Sequence, residues 1–171
     1  MPRIVIVVAY LLLAFTAQAA PRSGDLVSGT VVAISDGDTL TLLTADQQQV
    51  KIRLAEIDTP ESRQPFGARS KQMLSDLAFG KEVDALIDDI DRYGRLVCRV
   101  YAGKVDVNAE MVKQGGAWVY RQYSRDPLLL KLEQSAKSAR RGLWGLPASD
   151  QIPPWEWRRS DKKPTAATTV T

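Results

Sequence analysis

Between Leu26 and Ile57 the chain is cut into short, β-branched, alternating segments separated by turn residues. That period of two buries one face of a strand and cannot line one face of a helix. Val27 to Ile34, Thr39 to Leu43 and Val50 to Leu54 are the expected strands of a meander. Asp36-Gly37 supplies the first tight turn, with glycine accepting the positive φ such a turn demands, and Ala45-Asp46-Gln47 supplies the second. A further strand pair is expected at Val83 to Ile87 and Leu96 to Tyr101, the latter turning at Ala102-Gly103 toward Val105.

Three helices fit between and after these strands. Phe66 to Phe79 puts Met73, Leu74 and Leu77 on one face and stops at Gly80. Asp106 caps a short helix through Val112 that ends at Gly115-Gly116. Asp126-Pro127 opens the third, which carries Leu129, Leu132, Ala136 and Ala139 and has Gly142 beyond its last turn. Strands first and helices interleaved later predict an α+β fold: a five-stranded Greek-key β-barrel of the OB-fold type with about three α-helices.

The sequence contains no histidine. Histidine-dependent nucleases, Ser-His-Asp hydrolases and the usual zinc hydrolases are thereby excluded, and any hydrolysis must rely on carboxylates, arginines and a hard metal. The one cysteine, Cys98, shares an alternating face with Leu96 and Val100, so it reads as a small buried hydrophobe rather than a nucleophile. Residues 1–90 carry 8 Lys/Arg against 12 Asp/Glu, and residues 91–171 carry 15 against 8. An acidic first part suits a cation and a basic second part suits a polyanion.

The N-terminus reads as an export signal over residues 1–19. Arg3 precedes an apolar run from Ile4 to Phe15, and Ala17-Gln18-Ala19 offers a small-x-small cleavage site, so the mature chain is expected to start at Ala20. The run is too short to span a bilayer, and no stable membrane insertion is expected after cleavage. The location implied is the periplasm or the medium. One domain is expected over 20–147, followed by a Trp/Pro/basic extension over 148–171 whose final ten residues are expected to be disordered. Trp155 and Trp157 in that extension are expected to clamp onto the domain surface rather than read bases.

Three clusters carry candidate chemistry. Ser35-Asp36-Gly37-Asp38-Thr39 lies at a bend between strands and, alone, is turn chemistry. Arg53-Leu54-Ala55-Glu56-Ile57-Asp58-Thr59-Pro60-Glu61 ends a strand in a turn that gathers Asp58, Thr59 and Glu61. The same string also reads as a helix entry, with Thr59 as N-cap and Pro60 in the first turn. Asp91-Arg92-Tyr93-Gly94-Arg95 opens a strand after a turn.

Taken together, DGDT, RLxxIDTPE and DRYGR, in that order and at these separations, resemble the staphylococcal (micrococcal) nuclease family. The resemblance runs from about Gly24 to Trp144 and includes Val107-Asn108-Ala109-Glu110 and Gly142-Leu143-Trp144. It implies that Asp38 and Asp58 bind Ca2+ with the Thr59 carbonyl, that Arg53 and Arg95 grip the scissile phosphate, and that Glu61 stands beside the attacking water. It further implies that Arg92 and Tyr93 contact a terminal phosphate and that Tyr123 lies near a base. A sugar-nonspecific, calcium-dependent nuclease acting on single- and double-stranded DNA and RNA, and leaving 3′-phosphates, is the implied activity; a monomer is expected.

The residue chemistry agrees with that implication. A hard divalent ion takes six to eight oxygens, so two carboxylates and a carbonyl leave room for water and a phosphate oxygen. Two guanidiniums stay charged at any working pH and form paired bonds to phosphate. The chain departs from the best-known member in two places. Arg121 stands where that member has an aromatic, which weakens stacking and strengthens phosphate contact, and the loop Ser62 to Gly67 is shorter. A non-catalytic nucleic-acid-binding barrel would have no reason to keep five such charged residues, and the two arginines argue against a carbohydrate hydrolase.

Overall fold

A computed structural model of the chain describes residues 20–160. The expected export signal and the final ten residues lie outside the described part. The strands are β1 (Leu26–Ile34), β2 (Thr39–Leu43), β3 (Gln49–Leu54), β4 (Ile57–Asp58), β5 (Glu82–Ile90), β6 (Leu96–Ala102), β7 (Val105–Asp106) and β8 (Trp118–Val119). The helices are α1 (Gly67–Ala78), α2 (Val107–Lys113), α3 (Pro127–Ser138) and α4 (Pro154–Ser160).

The main sheet runs β3-β2-β1-β5-β6-β7, and β3 also pairs with β6, so five strands close into a barrel. This is the expected α+β OB-fold barrel. All pairings in that barrel are antiparallel except the closing one, where Ile52, Arg53 and Leu54 lie opposite Leu96, Val97 and Cys98 in parallel. Closure removes the edges that would otherwise expose unpaired backbone. Inside, Leu40, Leu42, Ile52, Leu54, Ile87, Cys98 and Val100 are buried with Leu74 of α1, Met111 of α2 and Leu129 of α3. Burial pushes the Cys98 thiol up to about 12, as fits a packing residue and not a nucleophile.

Asp106 caps α2 by accepting from the Ala109 amide, and Asp126 caps α3 by accepting from the Leu128 amide, as their side-chain chemistry dictates. One reading is corrected and one short element is added to the expected set. Thr59-Pro60 does not open a helix: turns at Gln64 and Gly67 follow Glu61, and α1 begins only after Phe66, which is left-handed at φ 74°. The fourth helix, α4, lies in the extension where no periodic signal announced it.

Closure places chemistry as well as core. Arg53 faces Val97 across the parallel pair, and Arg95, two residues earlier on β6's approach, falls on the same side. Thr39 pairs with Arg53, and the Leu54 amide donates to the Asp38 carbonyl at 2.8 Å, which holds the first acidic turn beside the end of β3. The pairing of Asp58 with Trp118 ties β4 to β8 and fixes the second acidic segment.

Candidate active site

A cavity of about 340 Å³ opens at this end of the barrel, lined by Asp36, Asp38, Arg53, Asp58, Thr59, Pro60, Glu61, Arg92, Tyr93, Arg95 and Arg158. Eight of the nine expected site residues therefore meet at one place. The ninth, Tyr123, lines an adjoining cavity of about 580 Å³ that shares Arg53, Arg92, Tyr93 and Arg95.

The acidic wall is buried. Asp58 is only 1% exposed, and Asp38 and Thr59 are buried beside it. The Thr59 amide donates to Asp38 Oδ2 at 3.2 Å, so the two expected cation-binding loops are tied directly to each other. Arg53 Nη2 donates to Asp58 Oδ1 at 3.0 Å and lies 3.5 Å from Asp38 Oδ2, while its Nη1 bonds the carbonyls of Leu54 and Ile57. Burial, and then the charge of Asp38, push the Asp36 carboxyl up to about 6. Burial raises Asp58 too; hydrogen bonds from Arg158 oppose the rise and the Asp38 charge adds to it. The wall thus crowds buried carboxylates together, and the guanidiniums of Arg53 and Arg158 offset part of their charge.

Among the described residues, no three His, Cys, Asp or Glu side chains form a ready metal cage. The oxygens offered are those of two carboxylates and the adjoining backbone, a hard donor set that suits an oxygen-seeking divalent ion with open positions. Both Asp58 oxygens already accept from guanidinium groups.

Opposite this wall, Arg95 is held by Asp91. Its Nε donates to Asp91 Oδ2 at 2.7 Å and the Asp91 Oδ1 accepts from the Arg95 amide, a grip that overrides burial and keeps Asp91 below its ordinary pKa. Arg92 and Arg95 lie 5.3 and 5.7 Å from the Tyr93 ring centroid. Tyr93 and Tyr123 are 72% and 67% exposed, as stacking surfaces for a base must be, and Tyr123 meets Tyr120 edge-on. Arg121 pairs with the buried Glu133 at 2.7 Å, and its side chain stays largely exposed. Trp155 clamps onto Tyr120 and Trp118, as expected for this aromatic.

Two site residues escaped the sequence reading. Asp36 sits in the first acidic string but was absorbed into its turn; the close spacing to Asp38 was the available signal. Arg158 comes from α4, and no spacing rule connects it to residues about a hundred positions earlier.

Gly37 has a reason other than the expected one, since it is absent from the positive-φ residues. A Cβ there would stand 2.7 Å from both Ser70 Cβ and Thr59 Oγ1. Glycine is required by the close approach of the acidic turn to Thr59. Gly37→Ala should cost about 2 kcal/mol, typical of overpacking, measured as a lowered urea midpoint; an unchanged midpoint would mean that the Thr59 loop yields freely.

The family model of staphylococcal nuclease homologues matches residues 51–145. An uncharacterized endonuclease of Haemophilus influenzae is 47% identical over 152 residues, covering 89% of this chain and 84% of the relative. A micrococcal nuclease of Shigella flexneri is 43% identical over 148 residues, covering 80% and 83%. Protein ParB of Escherichia coli is 43% identical over 158 residues, covering 86% and 87%.

Proposed function

The chain belongs to the staphylococcal nuclease family and is a nuclease, and from that premise we propose that it is an exported, calcium-dependent, sugar-nonspecific enzyme cutting DNA and RNA to 5′-hydroxyl and 3′-phosphate ends. The observation that carries this reading is the single cavity in which the acidic wall of Asp38, Asp58 and Thr59 faces Arg53 and Arg95, with Glu61 at its side. Periplasmic or extracellular location rests on the N-terminal apolar run and its small-residue cleavage pattern.

Bound calcium would neutralise phosphate charge and acidify a water, with Asp38, Asp58 and the Thr59 backbone as its protein ligands. Arg53 and Arg95 hold the non-bridging phosphate oxygens, and their orientation is preset by Asp58 and Asp91. Such preorganised donors act on charge that builds as phosphorus becomes five-coordinate. Glu61 accepts the proton of the attacking water. The water oxygen bonds to phosphorus, the bond from phosphorus to the 5′ oxygen breaks, and that oxygen takes a proton from solvent to leave as the hydroxyl. Arg92 contacts a further phosphate, and the exposed rings of Tyr93 and Tyr123 stack on bases of any identity. Recognition by charge and stacking gives little base preference.

The direct test is digestion of single-stranded DNA and of RNA by the full chain with millimolar calcium, with chelator, and after calcium is restored. Cutting that stops with chelator and returns with calcium is expected. Retention of DNA without cutting in every condition would replace the enzyme with a binding module. Arg53→Lys keeps the charge but loses the planar fork, and should lower kcat about 10²-fold in the same assay. A loss below threefold would remove Arg53 from the phosphate grip.

A further inference from the structure

The extension beyond the barrel is fastened at several independent points. Gln64 Nε2 donates to the Ile152 carbonyl, and Gln151 Nε2 donates to the carbonyls of Trp144 and Leu146. Pro154 is buried, and the Trp155 ring stacks on Tyr120 at 5.2 Å between centroids and 5° between planes. These contacts set the course of α4 and return its last turn to the cavity. There Arg158 Nη2 donates to Asp58 Oδ2 at 2.7 Å, and Nη1 donates to Asp58 Oδ1 at 3.2 Å and to Glu61 Oε1 at 2.6 Å.

The guanidinium therefore spans two residues with different assigned tasks: the cation ligand Asp58 and the water-facing Glu61. It takes both oxygens of the more deeply buried carboxylate in a two-pronged grip, the strong form of this pairing. A divalent ion on the same carboxylate would meet a fixed positive charge at contact range and compete for the same lone pairs. Arg53 also lies beside both acidic loops, 3.0 Å from Asp58 Oδ1 and 3.5 Å from Asp38 Oδ2, but it leaves Asp58 Oδ2 untouched and spends its other nitrogen on backbone carbonyls.

We propose that Arg158 is a tethered cation that competes with calcium for Asp58 while it also holds Glu61, so that docking of α4 and metal binding oppose each other. The inference rests on the calcium reading above. With little calcium the segment closes over the acidic wall, and with abundant calcium the arginine is displaced and the wall turns to the metal. Because linkage is reciprocal, calcium must loosen α4 by the same factor by which α4 weakens calcium. The benefit to an exported enzyme is a site kept shut where calcium is scarce.

The test compares the full chain with Arg158→Gln and Trp155→Ala, using calcium titration calorimetry without nucleic acid. Arg158→Gln is expected to bind calcium about tenfold tighter, within the usual range of such couplings, and Trp155→Ala to tighten it less by loosening the tether. In the unaltered chain, calcium should speed backbone hydrogen exchange of residues 155–160. Equal or weaker calcium binding by Arg158→Gln overturns the inference alone. No calcium binding by any of the three overturns the proposed function as well. If Arg158→Gln fails to fold, the exchange measurement decides: unchanged exchange of 155–160 on saturation with calcium overturns the inference.

Discussion

Glu61→Gln should lower kcat for DNA cleavage about 10³-fold while DNA affinity stays close to that of the parent, the middle of the range for loss of a positioned general base. The substitution preserves shape and keeps an oxygen that accepts hydrogen bonds, so the Arg158 contact and the Gln64-supported loop have no steric reason to move. What disappears is the capacity to take a proton from water at neutral pH. Glu61 is well placed for that task because it stands at the cavity edge next to the buried wall, partly open to the solvent from which the nucleophile comes. The measurement is single-turnover cleavage of a labelled single strand under saturating calcium, with binding followed separately in chelator. A decrease of less than tenfold would make Glu61 a bystander to the proton transfer.

Asn108→Ala is expected to be strongly destabilising, by about 3–5 kcal/mol, or roughly 10 °C in Tm. Asn108 is fully buried at the start of α2. Its Nδ2 donates to the carbonyls of Ala55 at 2.9 Å and Cys98 at 3.1 Å, and its Oδ1 accepts from the Val100 amide at 3.0 Å. Alanine would leave three backbone groups without this partner, in a place water does not reach, and would open a small void. The same side chain pins the end of β3 just before Asp58, so part of the lost stability should appear as lost activity at temperatures where the protein is still folded. Urea unfolding checks the first effect and cleavage at low temperature the second. A cost below 1 kcal/mol would show that the freed groups find other partners.

The readable part of this protein was the part governed by short-range rules. Alternation of side chains announced β1, β2, β3 and β6, and cap chemistry at Asp106 and Asp126 announced α2 and α3, each within a residue or two of where it lies. The three charged strings could be picked out because each is contiguous, and the lack of histidine narrowed their chemistry to carboxylate, guanidinium and hard metal. Gly37 was recognised as necessary but for the wrong reason. A turn's demand for positive φ is visible locally, whereas contact with Thr59 and Ser70 requires knowing what packs there.

By itself the sequence determined the barrel class and the order of its elements, since periodicity, turns and caps act between neighbours a few positions apart, while most cavity residues were named through the family resemblance that the three charged strings carry together. The tertiary structure alone decided that β3 closes in parallel on β6 and so brings Arg53 and Arg95 to one side, that Glu133 claims Arg121, and that Arg158 reaches Asp58 from 100 residues away. Those outcomes depend on how distant surfaces fit and where charge finds compensation. Pairing across space leaves no periodic mark along the chain.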